Sequence, residues 1–157
     1  MTAPKYWLMK SEAGDYSIDD LERDGTTAWT GVRNYEARNL MRDKIRPGDL
    51  VLYYHSNANP PGVVGIAEVV SETYPDPTQF DPTDSHYDPK SNADAPRWWL
   101  VDIRFIEKLP RLVSIGEIKK CVELEGMVLV RKSRLSVQPV TANEFDFVHE
   151  LARDGRG

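Results

Sequence analysis

Cysteine is almost absent from this chain, since Cys121 is the only one among 157 residues. A lone thiol excludes an internal disulfide and a cysteine-ligated metal cluster, and it fits a reducing compartment. Long apolar runs are lacking too, because none approaches the roughly 20 residues that a membrane span requires. We therefore expect a soluble protein of the cytoplasm that makes no contact with a membrane.

The usual catalytic and cofactor motifs are also missing. The three histidines lie far apart in the sequence and show none of the short spacings that bind zinc. Neither the nucleophile elbow of hydrolases nor a phosphate-binding loop occurs. These absences predict a protein without a metal, a cofactor or a familiar catalytic centre, although an unfamiliar one stays open.

Positive charge is scarce overall, because the net charge is −5 and the isoelectric point is about 5.2. That balance argues against a protein that coats nucleic acid through bulk charge. The distribution is uneven, however. Residues 11–25 hold six acids against one base, 31–48 hold five bases against two acids, and 131–138 hold three bases and no acid. The pattern indicates either a basic face on an acidic body or ordinary solvated charges.

Short apolar or alternating segments, separated by turn residues, predict at least five strands. Pro110 and Pro139 are expected to end the last two, because proline lacks the N–H that a ladder needs. The predicted strands are Lys5–Lys10, Leu50–His55, Val63–Val70, Trp98–Leu109 and Leu135–Gln138.

Short helices are predicted between these strands from their capping residues. Ser17 with Asp20, and Thr141 with Glu144, have the spacing of a capping box, and Ser114 precedes another short helix. Asn34 is a candidate cap for a helix over 34–45. The mixture of strands and helices lacks strict alternation. It predicts one α+β domain over residues 1–157, built on a strongly bent sheet or small barrel.

Six segments in order along the chain resemble the EVE-domain proteins. Residues 5–12 (KYWLMKSE) resemble their opening strand, and residues 28–39 (AWTGVRNYEARN) resemble their second signature. Further similarity covers 54–57, 62–67, the loop leading to the long strand (87–91 and 96–98), and 131–140. The resemblance implies a PUA-like fold, in which a bent mixed β-sheet or pseudo-barrel is flanked by short helices.

The same resemblance implies a function. PUA-like relatives include YTH domains, which hold N6-methyladenine in RNA, and SRA domains, which flip methylated cytosine out of DNA. We therefore expect a non-catalytic monomer that reads a modified base, with modified cytosine in DNA favoured over RNA. Restriction or repair proteins are possible partners. Two alternatives stay open: an RNA reader like the YTH domains, and an enzyme that uses Glu12 or His55 as a general base on a nucleotide-like ligand.

A base reader needs an aromatic wall for stacking and a few polar groups for the base edge. By analogy with YTH domains, we expect the pocket between the first strand, the 28–34 segment and the last strand. Trp29 and then Trp98 are the candidate walls, and Glu12 is a candidate acceptor for a cytosine N4 amine. The full predicted binding set is Lys10, Ser11, Glu12, Trp29, Val32, Asn34, Tyr35, His55, Ser56, Trp98, Ser133 and Leu135.

Each of these assignments has a structural alternative. Trp29 and Trp98 are also compatible with the core, Asn34 with helix capping, Glu12 with a surface carboxylate, and His55 with a structural histidine. Phosphate contacts are predicted for four arginines, whose alternative is ordinary surface exposure. These are Arg33, Arg38, Arg131 and Arg134.

Overall fold

The computed structural model describes residues 4–132 and 134–154. Eight strands and five helices occur in these two ranges. In chain order they are β1 (Tyr6–Glu12), α1 (Ile18–Asp24), β2 (Thr26–Ala28), α2 (Tyr35–Asp43), β3 (Leu50–Ser56), β4 (Gly62–Val69), β5 (Tyr74–Pro75), β6 (Trp99–Leu100), β7 (Asp102–Ser114), α3 (Ile115–Lys120), α4 (Val128–Arg131), β8 (Val137–Val140) and α5 (Ala142–Asp154).

Six of the strands form one mixed sheet in the order β2-β7-β4-β3-β1-β8. The pair β1 and β3 is parallel, whereas the other neighbours are antiparallel. The register between β4 and β7 shifts twice, and such bulges bend a strand and increase its twist. The result is the curled mixed sheet with short flanking helices that the sequence predicts, so the predicted fold class is confirmed.

Both faces of the sheet are covered. Side chains alternate across a strand, so Trp7 and Met9 pack in the cluster beneath α1 and α2, while Leu8 packs in the opposite cluster with α5. Strand β3 divides in the same way. Because both faces are buried, these strands appear in the sequence as nearly continuous apolar runs.

The predicted helix caps are confirmed. The Ser17 side chain accepts from the Asp20 backbone N–H while the Asp20 carboxylate accepts from the Ser17 backbone N–H. Thr141 and Glu144 make the same reciprocal pair. The Asn34 side chain accepts from the Ala37 backbone N–H at 2.9 Å and so begins α2.

Two predicted strand ends are wrong, both at proline. Pro110 lies inside β7, in the bulged segment between Lys108 and Val113, where β7 adds extra residues relative to β4. A bulge leaves residues unpaired, so the missing N–H costs no ladder bond there. Pro139 lies inside β8, which is an edge strand of the sheet, and edge strands tolerate proline for the same reason.

The proline-rich segment 74–96 is more ordered than its composition suggests. Strand β5 at its start pairs with β6, which follows shortly after its end, and a 3₁₀ turn covers Pro77–Phe80. The fully buried Gln79 side chain accepts from the backbone N–H groups of Arg97 and Trp98 and donates to the Trp98 carbonyl. Within the described ranges, each helix is too short or too polar to cross a bilayer.

Candidate functional site

A cleft of about 810 Å³ opens where β1 and β3 end. Because these strands are parallel and in register, Glu12 at the end of β1 lies beside Ser56 at the end of β3. The segment 27–33 and the stretch before β8 close its other sides. Eight of the predicted residues line this one cleft: Lys10, Ser11, Glu12, Trp29, Val32, Arg33, Ser56 and Arg134.

Trp29 is both a core residue and part of the cleft wall. Its backbone N–H donates to the Val101 carbonyl at 3.0 Å, which extends the β2–β7 pairing by one residue. Its ring meets Tyr53 edge-on, with 5.5 Å between the ring centroids. Only 8% of Trp29 is exposed. The sequence left two alternatives for Trp29, a core residue or a cleft wall. The structure combines them, because the same indole packs on the core and lines the cleft.

Charged groups of both signs lie in the cleft. The Lys10 ammonium stands 5.5 Å from the Tyr54 ring centroid, and burial lowers the pKa of Lys10. Glu12, two residues further along β1, is exposed. The cleft thus offers a donor, a carboxylate acceptor and the Ser56 hydroxyl within a few residues of an aromatic wall.

Gly31 fits its place in the wall for two reasons. Its φ of +86° lies in the left-handed region, which L side chains rarely adopt. A Cβ at this position would also stand 2.8 Å from His86 Nε2. The segment 30–33 and the loop segment 76–86 are therefore in direct contact, and we call them together the bonded wall.

Arg33 holds the bonded wall together with all five of its N–H donors. Nε and Nη2 both donate to the His86 carbonyl, at 3.2 and 2.7 Å. Nη1 donates to the Val32 carbonyl and to Asp76 Oδ2, and Nη2 also donates to Thr78 Oγ1. A guanidinium has five such donors. In the structure every donor of Arg33 is therefore engaged within the protein, so the phosphate contact predicted for it requires the loss of one of these bonds.

Asp76 is the acceptor at the centre of the same wall and is fully buried. It receives the Gly31 N–H at 2.8 Å as well as bonds from Thr78 and Arg33. Burial alone would raise the pKa of Asp76, but the hydrogen bonds from Thr78, Gly31 and Arg33 outweigh it and hold the pKa below its ordinary value. The carboxylate is therefore ionised in the folded protein at neutral pH.

Arg131 and Arg134 differ sharply from Arg33. Both are exposed, and neither side chain makes a hydrogen bond or ion pair with another described residue. Arg134 lines the cleft and also a neighbouring groove of about 360 Å³. Within the part of the chain that the structure describes, their donors are not engaged.

Several predicted residues lie outside the cleft. Trp98 donates its indole N–H to Asp88 at 2.7 Å and stacks on Tyr35, with 4.8 Å between ring centroids. The Arg38 guanidinium lies over the Tyr35 ring, 4.8 Å from its centroid, and donates to the Arg97 carbonyl. These side chains fix α2 to the loop 76–98 rather than lining the cleft.

His55, Asn34 and Leu135 also contribute elsewhere. His55 Nε2 accepts the Ile18 N–H at 3.1 Å, which satisfies the first turn of α1, and burial lowers the pKa of His55. Asn34 and Leu135 border the neighbouring groove. Ser133 lies outside the described residues.

Sequence reasoning missed part of the cleft. The unassigned lining residues come from four separate segments, so their meeting depends on the tertiary fold. Gly31 alone carried a local signal, because a glycine between Trp29 and Arg33 indicates an unusual backbone. The missed residues are Asp15, Tyr16, Thr27, Ala28, Thr30, Gly31, Ser85, His86 and Ser136.

A curled mixed sheet with a cleft at the ends of its parallel strands defines a protein of PUA-like architecture. Within that class the family is clear. The EVE domain family matches residues 5–151, and the chain belongs to that family, which confirms the resemblance in the sequence.

Solved structures agree with this assignment. A hypothetical protein from Leishmania major is 44% identical, with a TM-score of 0.93 and 96% of each chain covered. Human thymocyte nuclear protein 1 in complex with 5-methylcytosine-containing DNA is 41% identical, with a TM-score of 0.90, covering 94% of this chain and 97% of that one.

A more distant likeness concerns the fold alone. The YTH domain of the MRB1 protein of Zygosaccharomyces rouxii, solved with N6-methyladenosine RNA, is 16% identical with a TM-score of 0.55, covering 97% of this chain and 90% of that chain. It places the curled sheet in the same architecture as the YTH domains.

Proposed function

We propose that this chain binds a modified base of nucleic acid in the cleft and performs no chemistry on it. The favoured ligand is a modified cytosine in DNA. The observation that carries the proposal is the 41% identity, over nearly the full structure, to a human protein solved with 5-methylcytosine-containing DNA.

The contents of the cleft support this ligand. Its volume of about 810 Å³ lies within the usual range of small-molecule sites, roughly 300–1,000 Å³. A base in this space stacks on Trp29. Glu12 supplies the carboxylate that pairs with a cytosine N4 amine, and Ser56 is placed beside it by strand register. A base that reaches this depth leaves the helical stack first, as in other proteins that flip a nucleotide.

The enzyme alternative loses one of its two candidate bases. A general base needs a free lone pair within hydrogen-bond reach of the substrate proton. The Nε2 lone pair of His55 already accepts the Ile18 N–H, and His55 lies outside the lining of the cleft. Glu12 remains in the cleft, where a carboxylate serves equally well as an acceptor for a base edge.

Calorimetric titration with short oligonucleotides tests the proposal. The strands carry cytosine, 5-methylcytosine, 5-hydroxymethylcytosine, adenine or N6-methyladenine, as both DNA and RNA, at low salt. We expect tightest binding to a deoxyribo-strand with a modified cytosine. Trp29→Ala should weaken it by about 1–3 kcal/mol, the usual value of base stacking, which is roughly 5- to 150-fold in Kd.

Two controls separate stacking from folding. Trp29→Phe keeps an aromatic face and should retain most of the affinity. Trp98→Phe changes an aromatic residue outside the cleft and should leave selectivity intact. Equal, weak binding of every strand by the wild-type protein would contradict the reader function, and preference for the ribo-strand would favour the RNA alternative.

A further inference from the structure

The two flanks of the cleft carry opposite charge. One flank consists of α1 and the segment just before it, with the carboxylates Asp15, Asp19, Asp20, Glu22 and Asp24; we call it the acidic flank. The other consists of Arg131, Lys132 and Arg134 ahead of β8; we call it the basic flank. Asp15 and Arg134 line the same cleft.

Topology separates these flanks. Helix α1 packs against β7 and β2, which lie at one end of the sheet, whereas the basic flank leads into β8 at the other end. The curl of the sheet brings both ends to the cleft. A nucleic-acid strand whose base enters the cleft therefore meets carboxylates in one direction and arginines in the other.

The ion pairs of the acidic flank neutralise only part of its negative charge. Arg23 bridges Asp20 and Asp24, and Lys108 pairs with Asp19 at 2.7 Å. Asp15 and Glu22 have no ion pair among the described residues. This side of the cleft repels a phosphate backbone.

The bonded wall cannot supply the phosphate contacts that the acidic flank lacks. Its cation, Arg33, is paired with the buried Asp76 and has every N–H engaged. Among the four arginines predicted to bind phosphate, only Arg131 and Arg134 thus combine exposure with unengaged donors in the described chain.

A path for the backbone continues beyond Arg134. The neighbouring groove of about 360 Å³ shares this residue with the cleft and is also lined by Asn34, Glu36 and Lys132. Lys132 pairs with Glu36 at 3.0 Å, and both side chains are more than half exposed. Exposed pairs of this kind contribute little to stability, so Lys132 can exchange Glu36 for a phosphate at small cost.

We propose that the strand carrying the bound base is held on one flank only. On one side of the bound base, the backbone of the strand runs from the cleft across Arg134 into the neighbouring groove. On the other side, the strand passes α1 without a phosphate contact. This inference rests on the proposed function and adds a direction to it. The partner is a single strand, or a locally opened duplex, whose chain polarity is fixed by the charge of the two flanks.

Strands truncated on one side test the inference. Three DNA strands are compared by titration at low salt: the modified cytosine in the centre, at the 5′ end, and at the 3′ end. One of the two end-placed strands should bind within about twofold of the central one. The other should bind on the order of tenfold more weakly, because it lacks the phosphates that the basic flank engages.

Variants assign the asymmetry to the basic flank. Arg134→Gln should remove most of the difference between the two end-placed strands. It should also reduce the slope of log Kd against log salt by about 0.7, the value for one phosphate of a single strand. Arg153→Gln is the matched control, since Arg153 is similarly exposed and far from the cleft, and it should change neither quantity. Glu22→Gln should strengthen binding of the disfavoured strand.

The outcomes distinguish this inference from the reader function. If the two end-placed strands bind equally well and selectivity for the modified base is retained, the one-sided path is wrong and the reader function stands. An asymmetry that survives Arg134→Gln would also overturn it. Loss of all selectivity for the modified base, with any of the strands, would remove the proposed function and this inference together.

Discussion

The bonded wall and the basic flank border the same cleft, and both contain arginine, yet they use it in opposite ways. Arg33 spends its five donors inside the protein and is 22% exposed at its side chain. Arg134 is exposed and makes no side-chain bond to a described residue. The comparison shows that the number of arginines near a cleft says little about its affinity for phosphate. What matters is how many of their donors the fold leaves open.

The largest expected difference between the two regions is in stability. Asp76→Ala leaves Arg33 and the Gly31 N–H without their buried acceptor, and breaking a buried pair costs about 3–5 kcal/mol. Arg134→Ala removes an exposed side chain and should cost less than about 0.5 kcal/mol. Urea denaturation of both variants measures this. Similar stabilities for the two would show that the bonded wall contributes no more than ordinary surface.

Arg33→Lys is a subtler test of the same region. An ammonium has three donors in a compact head and cannot reproduce the planar fork that reaches His86, Thr78 and Asp76. We expect a loss of about 1–3 kcal/mol in stability with an unchanged salt slope for binding. Titration over a range of salt concentrations checks the second point. A reduced slope would mean that Arg33 contacts phosphate after all.

Gly31→Ala tests how tightly the wall is packed, and Gly48→Ala is its control. Both glycines have φ near +90°, but a Cβ at Gly48 meets nothing within 4 Å, whereas one at Gly31 meets His86. Both variants should lose about 1–2 kcal/mol from backbone strain. Only Gly31→Ala should also weaken base binding, because it displaces His86 from the cleft. Equal affinities for the two variants would contradict this contact.

The smallest expected effect concerns the acidic flank, which His55 joins to the sheet. Burial lowers the pKa of His55 in the folded state from its ordinary 6.5. The unfolded chain therefore binds this proton first as the pH falls. The stability that neutral His55 contributes is fully present above about pH 6.5. It is lost as the pH falls from there through the lower pKa of His55 in the folded protein. Denaturation at pH 7.5 and 5.5 should show a smaller decrease for His55→Gln than for the wild type.

Local signals in the sequence were enough for much of the fold. Ser17, Asn34 and Thr141 identified three helix starts, because capping chemistry acts over three residues. Pro110 led to a wrong strand end, because its effect depends on a distant pairing and not on its neighbours in the sequence. Whether a strand tolerates proline depends on the bulge made with β4, and that pairing is invisible in the local sequence.

The site was predictable only where a motif and a strand end coincided. Lys10, Glu12 and Trp29 line the cleft as expected. Trp98 lies away from it and donates its indole N–H to Asp88. The engagement of Arg33 depends on Asp76, 43 residues away. No pattern within either segment indicates that these two meet, so charge could be predicted from the sequence but its availability could not.

The indole N–H signals in a ¹⁵N–¹H spectrum, assigned by single Trp→Phe variants, test the central claim most directly. Three of the four indoles donate inside the protein: Trp7 to Asp49, Trp98 to Asp88 and Trp99 to the Pro96 carbonyl. Adding a short strand with 5-methylcytosine should shift the Trp29 signal and leave these three nearly unchanged, while the unmodified strand has a weaker effect. A shift of the Trp98 signal with Trp29 unmoved would place the base outside the cleft and contradict the account.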